Sequence, residues 1–223
     1  TPDAPPATRP TAPPRPASLI SWSAERPLKW SDFQGPVPSS NEDADSSSAE
    51  GSHESGCHHA AMTACTLQIH YSDRATSEQR TRGGWWTCTV QLASVRTEAL
   101  FDPSKSWVKA DLKSDALLAH EQIHFDLVHI QARRAAARIS RELGAKAFTA
   151  EAATEREARD LARARWIEEI ERLVAEERAE LNERNRLYDA ETEHGTRALE
   201  QQRWARLVER ELRELGIRRP AAR

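Results

Sequence analysis

Residues 114–125 read SDALLAHEQIHF, and this stretch predicts the beginning of a long helix. Ser114 is a favourable N-cap residue, and Asp115 in the first turn suits the positive end of the helix dipole. Proline, which would break a helix, is absent from the sequence that follows until Pro220. We therefore predict a helix over about residues 115–142.

The sequence after this helix predicts two further helical segments. Gly144 indicates a break, because glycine is unfavourable inside a helix. A second long helix is expected from about residue 150, and a third stretch, or a continuation of the second, reaches about residue 215. Mixed glutamate and arginine spacing supports these helices through weak ion pairs on their solvated faces.

Two strands are predicted before the first helix. Apolar and polar residues alternate over residues 65–71 and again over 86–92, as they do on a strand with one buried face. Cys65 and Cys88 would both face inward on neighbouring strands, so they are the preferred disulfide pair, with Cys57 left as a thiol. Two buried free thiols are the alternative.

These elements together predict an α+β fold with a single folded domain over residues 19–223. A small, mainly antiparallel sheet is expected in the β-rich part over 19–110. It would pack against the helical part over 111–218, which we expect to form a long helical hairpin. Residues 1–18 contain seven prolines and almost no bulky apolar side chain, so they predict a disordered, Pro-rich tether.

The composition limits the partners and the location that the chain suggests. Charged residues make up 30 % of the sequence and the net charge is only −3, so nucleic acid is not an expected partner. No stretch approaches the ~20 apolar residues of a transmembrane segment. The chain begins at Thr1 and has three cysteines, which suggests a secreted or periplasmic protein whose export signal has been removed. The Pro-rich tether would then suit attachment to the cell envelope.

The helix over 115–142 carries the motif HExxH, as His120-Glu121-Gln122-Ile123-His124. At 3.6 residues per turn, His120 and His124 lie about 40° apart around the helix, so both imidazoles can reach one Zn²⁺. Glu121 lies beside them, where it can accept a proton from a zinc-activated water. The motif therefore predicts zinc as the cofactor, with two histidine ligands and a general base.

A catalytic zinc site also needs a third protein ligand. If residues 187–215 are helical, Glu191 and His194 interrupt one mainly apolar stripe, and zinc would satisfy such an inward polar pair. Both residues remain candidates for the third ligand, although His194 could instead mark a helix end capped by Gly195. Tyr188, one turn away, is a candidate oxyanion stabiliser, with a packed core tyrosine as the alternative.

Three segments resemble the signatures of a bacterial family described as predicted secreted zinc-dependent proteases. Residues 119–126 (AHEQIHFD) and 188–195 (YDAETEHG) resemble two of these signatures, and residues 28–35 (LKWSDFQG) resemble the N-terminal one. The resemblance implies a zincin-like fold with HExxH on the first long helix. It also implies that His194 is the third zinc ligand.

The expected function is that of a zinc metallopeptidase acting on a protein or peptide substrate. Glu121 would take a proton from zinc-activated water and deliver it to the leaving amine. A non-catalytic, zinc-stabilised module that binds the cell envelope is one alternative, and a zinc amidase acting on a non-peptide amide is another. The strand near residues 86–99 is a candidate sheet edge on which an extended peptide could add.

Overall fold

The computed structural model describes residues 18–38, 60–80 and 83–219. The strands are β1 (Ile20–Ser21), β2 (Ala61–Met62), β3 (Cys65–Gln79), β4 (Trp86–Phe101), β5 (Trp107–Val108) and β6 (Ala147–Ala152). The helices are α1 (Asp115–Leu143), α2 (Glu155–Thr192) and α3 (Ala198–Glu214), and two short 3₁₀ turns occupy Trp30–Asp32 and Ala110–Leu112. The predicted α+β class, a small antiparallel sheet with long helices, is confirmed.

The main sheet is built around the long hairpin of β3 and β4, which pair in antiparallel register along their whole lengths. Two short strands, β1 and β6, pair with the opposite side of β4, one near each of its ends. Strands β2 and β5 form a separate two-stranded antiparallel sheet. The prediction that the strand near 86–99 is a sheet edge is therefore wrong for residues 86–91, which pair with β6, whereas residues 92–99 have β3 as their one described strand partner.

The cysteines of this hairpin lie far apart. Cys65 faces Phe101 across the two strands, whereas Cys88 faces Ser77. At ~3.3 Å per residue, Cys65 and Ser77 are roughly 40 Å apart along β3, which no disulfide can span. Both thiols are free, so the predicted Cys65–Cys88 disulfide is wrong. Cys57 and residues 1–17 of the predicted tether lie outside the described residues.

Helix α1 begins where the sequence predicts it to begin. The side chain of Ser114 accepts a hydrogen bond from the backbone N–H of Leu117, which satisfies one donor of the first turn. At the other end, the N–H of Gly144 donates to the carbonyl of Ser140, and α1 ends at Leu143. The predicted range of 115–142 thus agrees with the helix to within one residue.

Helix α2 begins later than its predicted start, because the preceding residues form β6. Phe148, Ala150 and Ala152 alternate with more exposed residues, and the strand pairs with β4. Thr154 then caps α2 through a capping box with Glu157, in which each side chain bonds the backbone N–H of the other residue. A chain segment from between the helices therefore completes the sheet.

The sheet and the helices enclose two clusters of buried apolar side chains. One cluster joins β3, β4, α3, the C-terminal part of α2 and the part of α1 that carries HExxH. The other joins β4, β6, the C-terminal half of α1 and the N-terminal half of α2. Among the residues that the structure describes, no helix is both long enough and apolar enough to cross a membrane.

Replacement of Leu173 by alanine should test the second cluster. Leu173 is fully buried on α2, so Leu173→Ala is expected to lower the free energy of unfolding by about 2–5 kcal/mol. Leu161 lies on the same helix with 49 % of its surface exposed, and Leu161→Ala should change that free energy by less than about 0.5 kcal/mol. Urea denaturation of both variants measures the difference; equal losses would show that α2 does not pack in this way.

Candidate metal centre

Two helices bring three metal-ligating side chains together. His120 and His124 lie one turn apart on α1, and Asp189 lies near the end of α2. The Nε2 atoms of the two histidines are 3.2 Å apart. Asp189 Oδ1 lies 3.2 Å from His120 Nε2 and 3.0 Å from His124 Nε2. These three atoms form a triangle whose members can all face one ion.

The size of this triangle fits zinc. Zinc binds histidine nitrogen and carboxylate oxygen at about 2.0–2.1 Å in a tetrahedral arrangement, which sets neighbouring donor atoms about 3.3 Å apart. The three separations in the protein, 3.0, 3.2 and 3.2 Å, are close to that value. Two imidazoles and one carboxylate are also a donor set that zinc accepts in catalytic sites. The residues therefore fit the metal that the motif predicts.

The electrostatics of the three side chains also favour a cation. Burial alone would raise the pKa of Asp189, but hydrogen bonds with His120 and His124 outweigh it and hold that pKa well below its ordinary value. Burial likewise disfavours the charged form of His124, yet the hydrogen bond and negative charge of Asp189 raise the His124 pKa. An ionised carboxylate thus faces two ring nitrogens, and positive charge between them is stabilised.

Glu121 lies in the same cavity as the three candidate ligands. Its side chain is buried, with 4 % of its surface exposed. The cavity has a volume of about 270 Å³ and lies between the start of β3, α1 and α2. Its lining comprises Ala60, Ala61, Met62, Thr63, Cys65, Leu117, His120, Glu121, His124, Val128, Leu181, Asn182, Asn185, Asp189 and His194. A carboxylate beside a candidate zinc position is the arrangement that general-base catalysis requires.

His194 lies at this cavity but not on a helix. Helix α2 ends at Thr192, and Glu193 and His194 then adopt left-handed backbone conformations. His194 Nδ1 is 3.7 Å from Asp189 Oδ1, and 42 % of the His194 side chain is exposed. The predicted inward stripe through Leu187, Glu191 and His194 is therefore wrong, since α2 ends inside it and Leu187 is exposed.

Glu191 faces away from the histidines. Its Oε2 accepts a hydrogen bond from Trp204 Nε1 on α3 at 2.7 Å, and Glu191 does not line the cavity. The alternative that Glu191 is the third ligand is therefore not supported by its position. Asp189, two residues earlier, occupies the place that the sequence assigned to either Glu191 or His194.

Tyr188 packs against the imidazole ring of His120 and does not line the cavity. The tyrosine is fully buried, and its ring stacks on the imidazole of His120 with centroids 4.6 Å apart. Its hydroxyl donates a hydrogen bond to Gln201 Oε1 at 2.8 Å rather than pointing into the cavity. The position fits a packed core tyrosine, the alternative to the predicted oxyanion stabiliser.

Asp126 lies on α1 outside the cavity and binds other parts of the chain. It is fully buried, and its Oδ1 accepts hydrogen bonds from Trp22 Nε1, Gln122 Nε2 and the guanidinium of Arg219. Gln122 Oε1 in turn accepts from the backbone N–H of Leu28 at 2.7 Å. Residues near both ends of the described chain are thus fixed to the helix that carries the HExxH motif.

Gly195 allows the turn after α2 to approach His120 closely. A Cβ at this position would lie 3.0 Å from His120 Cβ and Cγ, and the backbone φ is +85°. Gly216 has a similar φ of +78°, but a Cβ there would contact nothing within 4 Å. The two glycines therefore share the left-handed conformation, but only a side chain at position 195 would clash with His120.

Gly195→Ala is expected to weaken zinc binding, whereas Gly216→Ala is not. Both variants should lose about 1–2 kcal/mol of stability, because alanine is strained in the left-handed region. Only Gly195→Ala also displaces His120. Zinc affinity from chelator competition, measured beside thermal unfolding, tests this; equal zinc affinities in the two variants would contradict the proposed role of the close approach.

Comparison with protein-family models, curated proteins and solved structures finds no match for this chain.

Proposed function

We propose that this chain is a zinc metallopeptidase in which His120, His124 and Asp189 bind the metal and Glu121 is the general base. The observation that carries the proposal is the convergence of three ligand atoms, at separations suited to zinc, in the cavity that Glu121 also lines. The proposal keeps the HExxH residues predicted from the sequence and replaces His194 by Asp189 as the third ligand.

The residues of the chain would divide the chemistry as follows. Zinc, when bound, supplies a Lewis acid that activates water and polarises a carbonyl group. Glu121 accepts the proton of the attacking water and then delivers it to the leaving amine. Its burial keeps bulk water away from this transfer and strengthens its interactions with nearby charges. Asp189 would hold the metal together with the two histidines and would balance part of its charge.

A closed, non-catalytic zinc site is the second candidate, and the position of His194 favours it. With Nδ1 at 3.7 Å from Asp189 Oδ1, His194 lies within reach of becoming a fourth protein ligand. Four protein ligands indicate a structural site, whereas three leave the open position that catalysis needs. X-ray absorption of the zinc-loaded protein distinguishes three histidine or carboxylate ligands plus water from four protein ligands.

The experiment that tests the proposal measures zinc content and hydrolysis together. Metal-replete protein should hold about one zinc per chain, and His120→Ala should hold none. Glu191→Ala is the matched control and should retain zinc, since its carboxylate bonds Trp204 outside the cavity. The wild type should cleave an unfolded protein, with products identified by mass spectrometry. Activity should disappear with a chelator and return with zinc.

Two outcomes would argue against the proposal. Absence of zinc from carefully metal-replete wild type would leave HExxH as a coincidence on a structural helix. Zinc binding with no cleavage of proteins or peptides would leave the closed site or the zinc amidase, and cleavage of non-peptide amides would identify the latter. Export and attachment to the cell envelope stay predictions.

A further inference from the structure

Each candidate histidine ligand meets an amide side chain on the side of its ring that faces away from the metal position. His124 Nδ1 is 2.8 Å from Asn185 Oδ1, on α2. His120 Nδ1 is 3.3 Å from Gln201 Oε1, on α3. The Nε2 atoms of the same two rings are the atoms that face Asp189. Each ring is thus held at one nitrogen while the other is directed at the candidate metal position.

The orientation of the Asn185 amide is fixed by a second contact. Its Nδ2 donates a hydrogen bond to the backbone carbonyl of Leu181 at 3.1 Å. A carbonyl oxygen can only accept, so the nitrogen of the amide must face Leu181 and the oxygen must face His124. That oxygen also can only accept, as can the Asp189 carboxylate 3.0 Å from His124 Nε2, so the two neighbours compete for the hydrogen of a neutral His124. When a metal takes the lone pair of Nε2, that hydrogen lies on Nδ1 and is donated to Asn185.

Gln201 makes the corresponding contact with His120. Its Oε1 accepts the hydroxyl of Tyr188 at 2.8 Å and lies within reach of His120 Nδ1. The Tyr188 ring also stacks on the imidazole, which restricts rotation of the ring. In this arrangement His120 donates from Nδ1 to Gln201 and presents an unprotonated Nε2 to the metal. Helix α3, which offers no ligand itself, thereby contributes to the site.

We propose that Asn185 and Gln201 are positioning residues that hold His124 and His120 in the tautomer that binds metal through Nε2. The inference rests on the proposed zinc site and adds the groups that orient its two histidines. Hydrogen-bond partners of this kind typically account for about 10–100-fold of metal affinity. We expect both residues to change zinc affinity through the histidines, without direct contact with zinc or substrate.

Three substitutions on α2 test the role of Asn185 through zinc affinity. Asn185→Leu removes the acceptor and should weaken zinc binding by about 10–100-fold in chelator competition. Asn185→Asp keeps an oxygen beside Nδ1 and should restore most of the affinity. Asn182→Leu is the matched control, since Asn182 lines the same cavity on the same helix, and it should leave zinc affinity unchanged.

Gln201 is tested by the same logic on α3. Gln201→Leu should weaken zinc binding, and Gln201→Glu should restore it, because the carboxylate keeps the acceptor for His120 Nδ1. Unfolding of the metal-free variants separates a loss of orientation from a loss of the fold. Equal zinc affinities in the leucine variants and the wild type, in folded protein, would overturn the proposal. So would equal losses in the leucine and acidic variants.

A direct readout uses the wild type and needs neither activity nor substitution. Imidazole ¹⁵N chemical shifts of the zinc-loaded protein should show the hydrogen of His120 and of His124 on Nδ1 and the metal on Nε2. Hydrogen on Nε2 of either ring would overturn the assignment for that ring. If zinc binds and the shifts agree but no peptide is cleaved, the proposed function fails and the positioning role stands.

Discussion

Glu121→Gln is expected to abolish peptide hydrolysis while about one zinc per chain remains bound. Glutamine has nearly the shape of glutamate, but its amide cannot accept the proton that the general base must take. Loss of a general base typically costs about 10²–10⁴-fold in rate. Glu121 lines the cavity but contributes none of the three converging ligand atoms, so its replacement should leave the zinc content unaffected. Initial rates on an unfolded protein substrate, with elemental analysis of the same samples, measure both quantities.

Glu191→Gln is the matched control for this substitution. It makes the same chemical change on α2, and Glu191 bonds Trp204 outside the cavity. Its hydrolysis rate should equal that of the wild type. If highly purified Glu121→Gln retained the wild-type rate, Glu121 could not be the base, and the source of hydrolysis would have to be another residue.

Asp189→Ala should show the second large effect, a loss of zinc binding. Within the described part of the chain, Asp189 is the one carboxylate whose oxygen lies within 3.2 Å of both histidine Nε2 atoms. Even hydrogen-bond partners of metal ligands are worth about 10–100-fold in affinity, so removal of a ligand should cost more than about 100-fold. Asp160, exposed on the same helix, provides the control, and Asp160→Ala should bind zinc as the wild type does.

His194→Ala decides between the structural assignment and the one implied by the resemblance. If Asp189 is the third ligand, His194→Ala retains zinc and Asp189→Ala loses it. The reverse result would restore His194 as the ligand. Loss in both variants would indicate four protein ligands and favour a closed site over a catalytic one. Elemental analysis of the wild type, Asp189→Ala, His194→Ala and the Asp160→Ala control, prepared in parallel with excess zinc, provides the comparison.

The sequence predicted well those features that depend on residues close together in the chain. The N-cap at Ser114, the helix over 115–143 and the presence of strands at 65–71 and 86–92 all follow from local patterns, although the strands extend to 65–79 and 86–101. The start of α2 was predicted about five residues early, because the capping-box spacing of Thr154 and Glu157 was not used. The strand over 147–152 was missed because small residues such as alanine indicate a strand only weakly.

Asp189, the proposed third ligand, was missed because the inward face of α2 was assigned one residue away from its true position. Leu181, Tyr188 and Thr192 face the interior, whereas the predicted stripe ran through 187 and 191. Each residue turns a helix by about 100°, so this offset moves the expected ligand from one side of α2 to another. Read from Leu181 and Tyr188, the pattern would have placed Asp189 beside the buried face.

The sequence by itself determined that His120, Glu121 and His124 lie together, because helix geometry fixes neighbours one turn apart whatever surrounds them. Only the tertiary structure decided that Asp189 completes the group. That choice depends on how α2 is rotated against α1 and where α2 ends, and packing of side chains distant in sequence sets both. The same holds for the cysteines. The alternation of residues predicted that both cysteines face inward. The register of β3 against β4, which depends on the whole hairpin, places them at opposite ends of it.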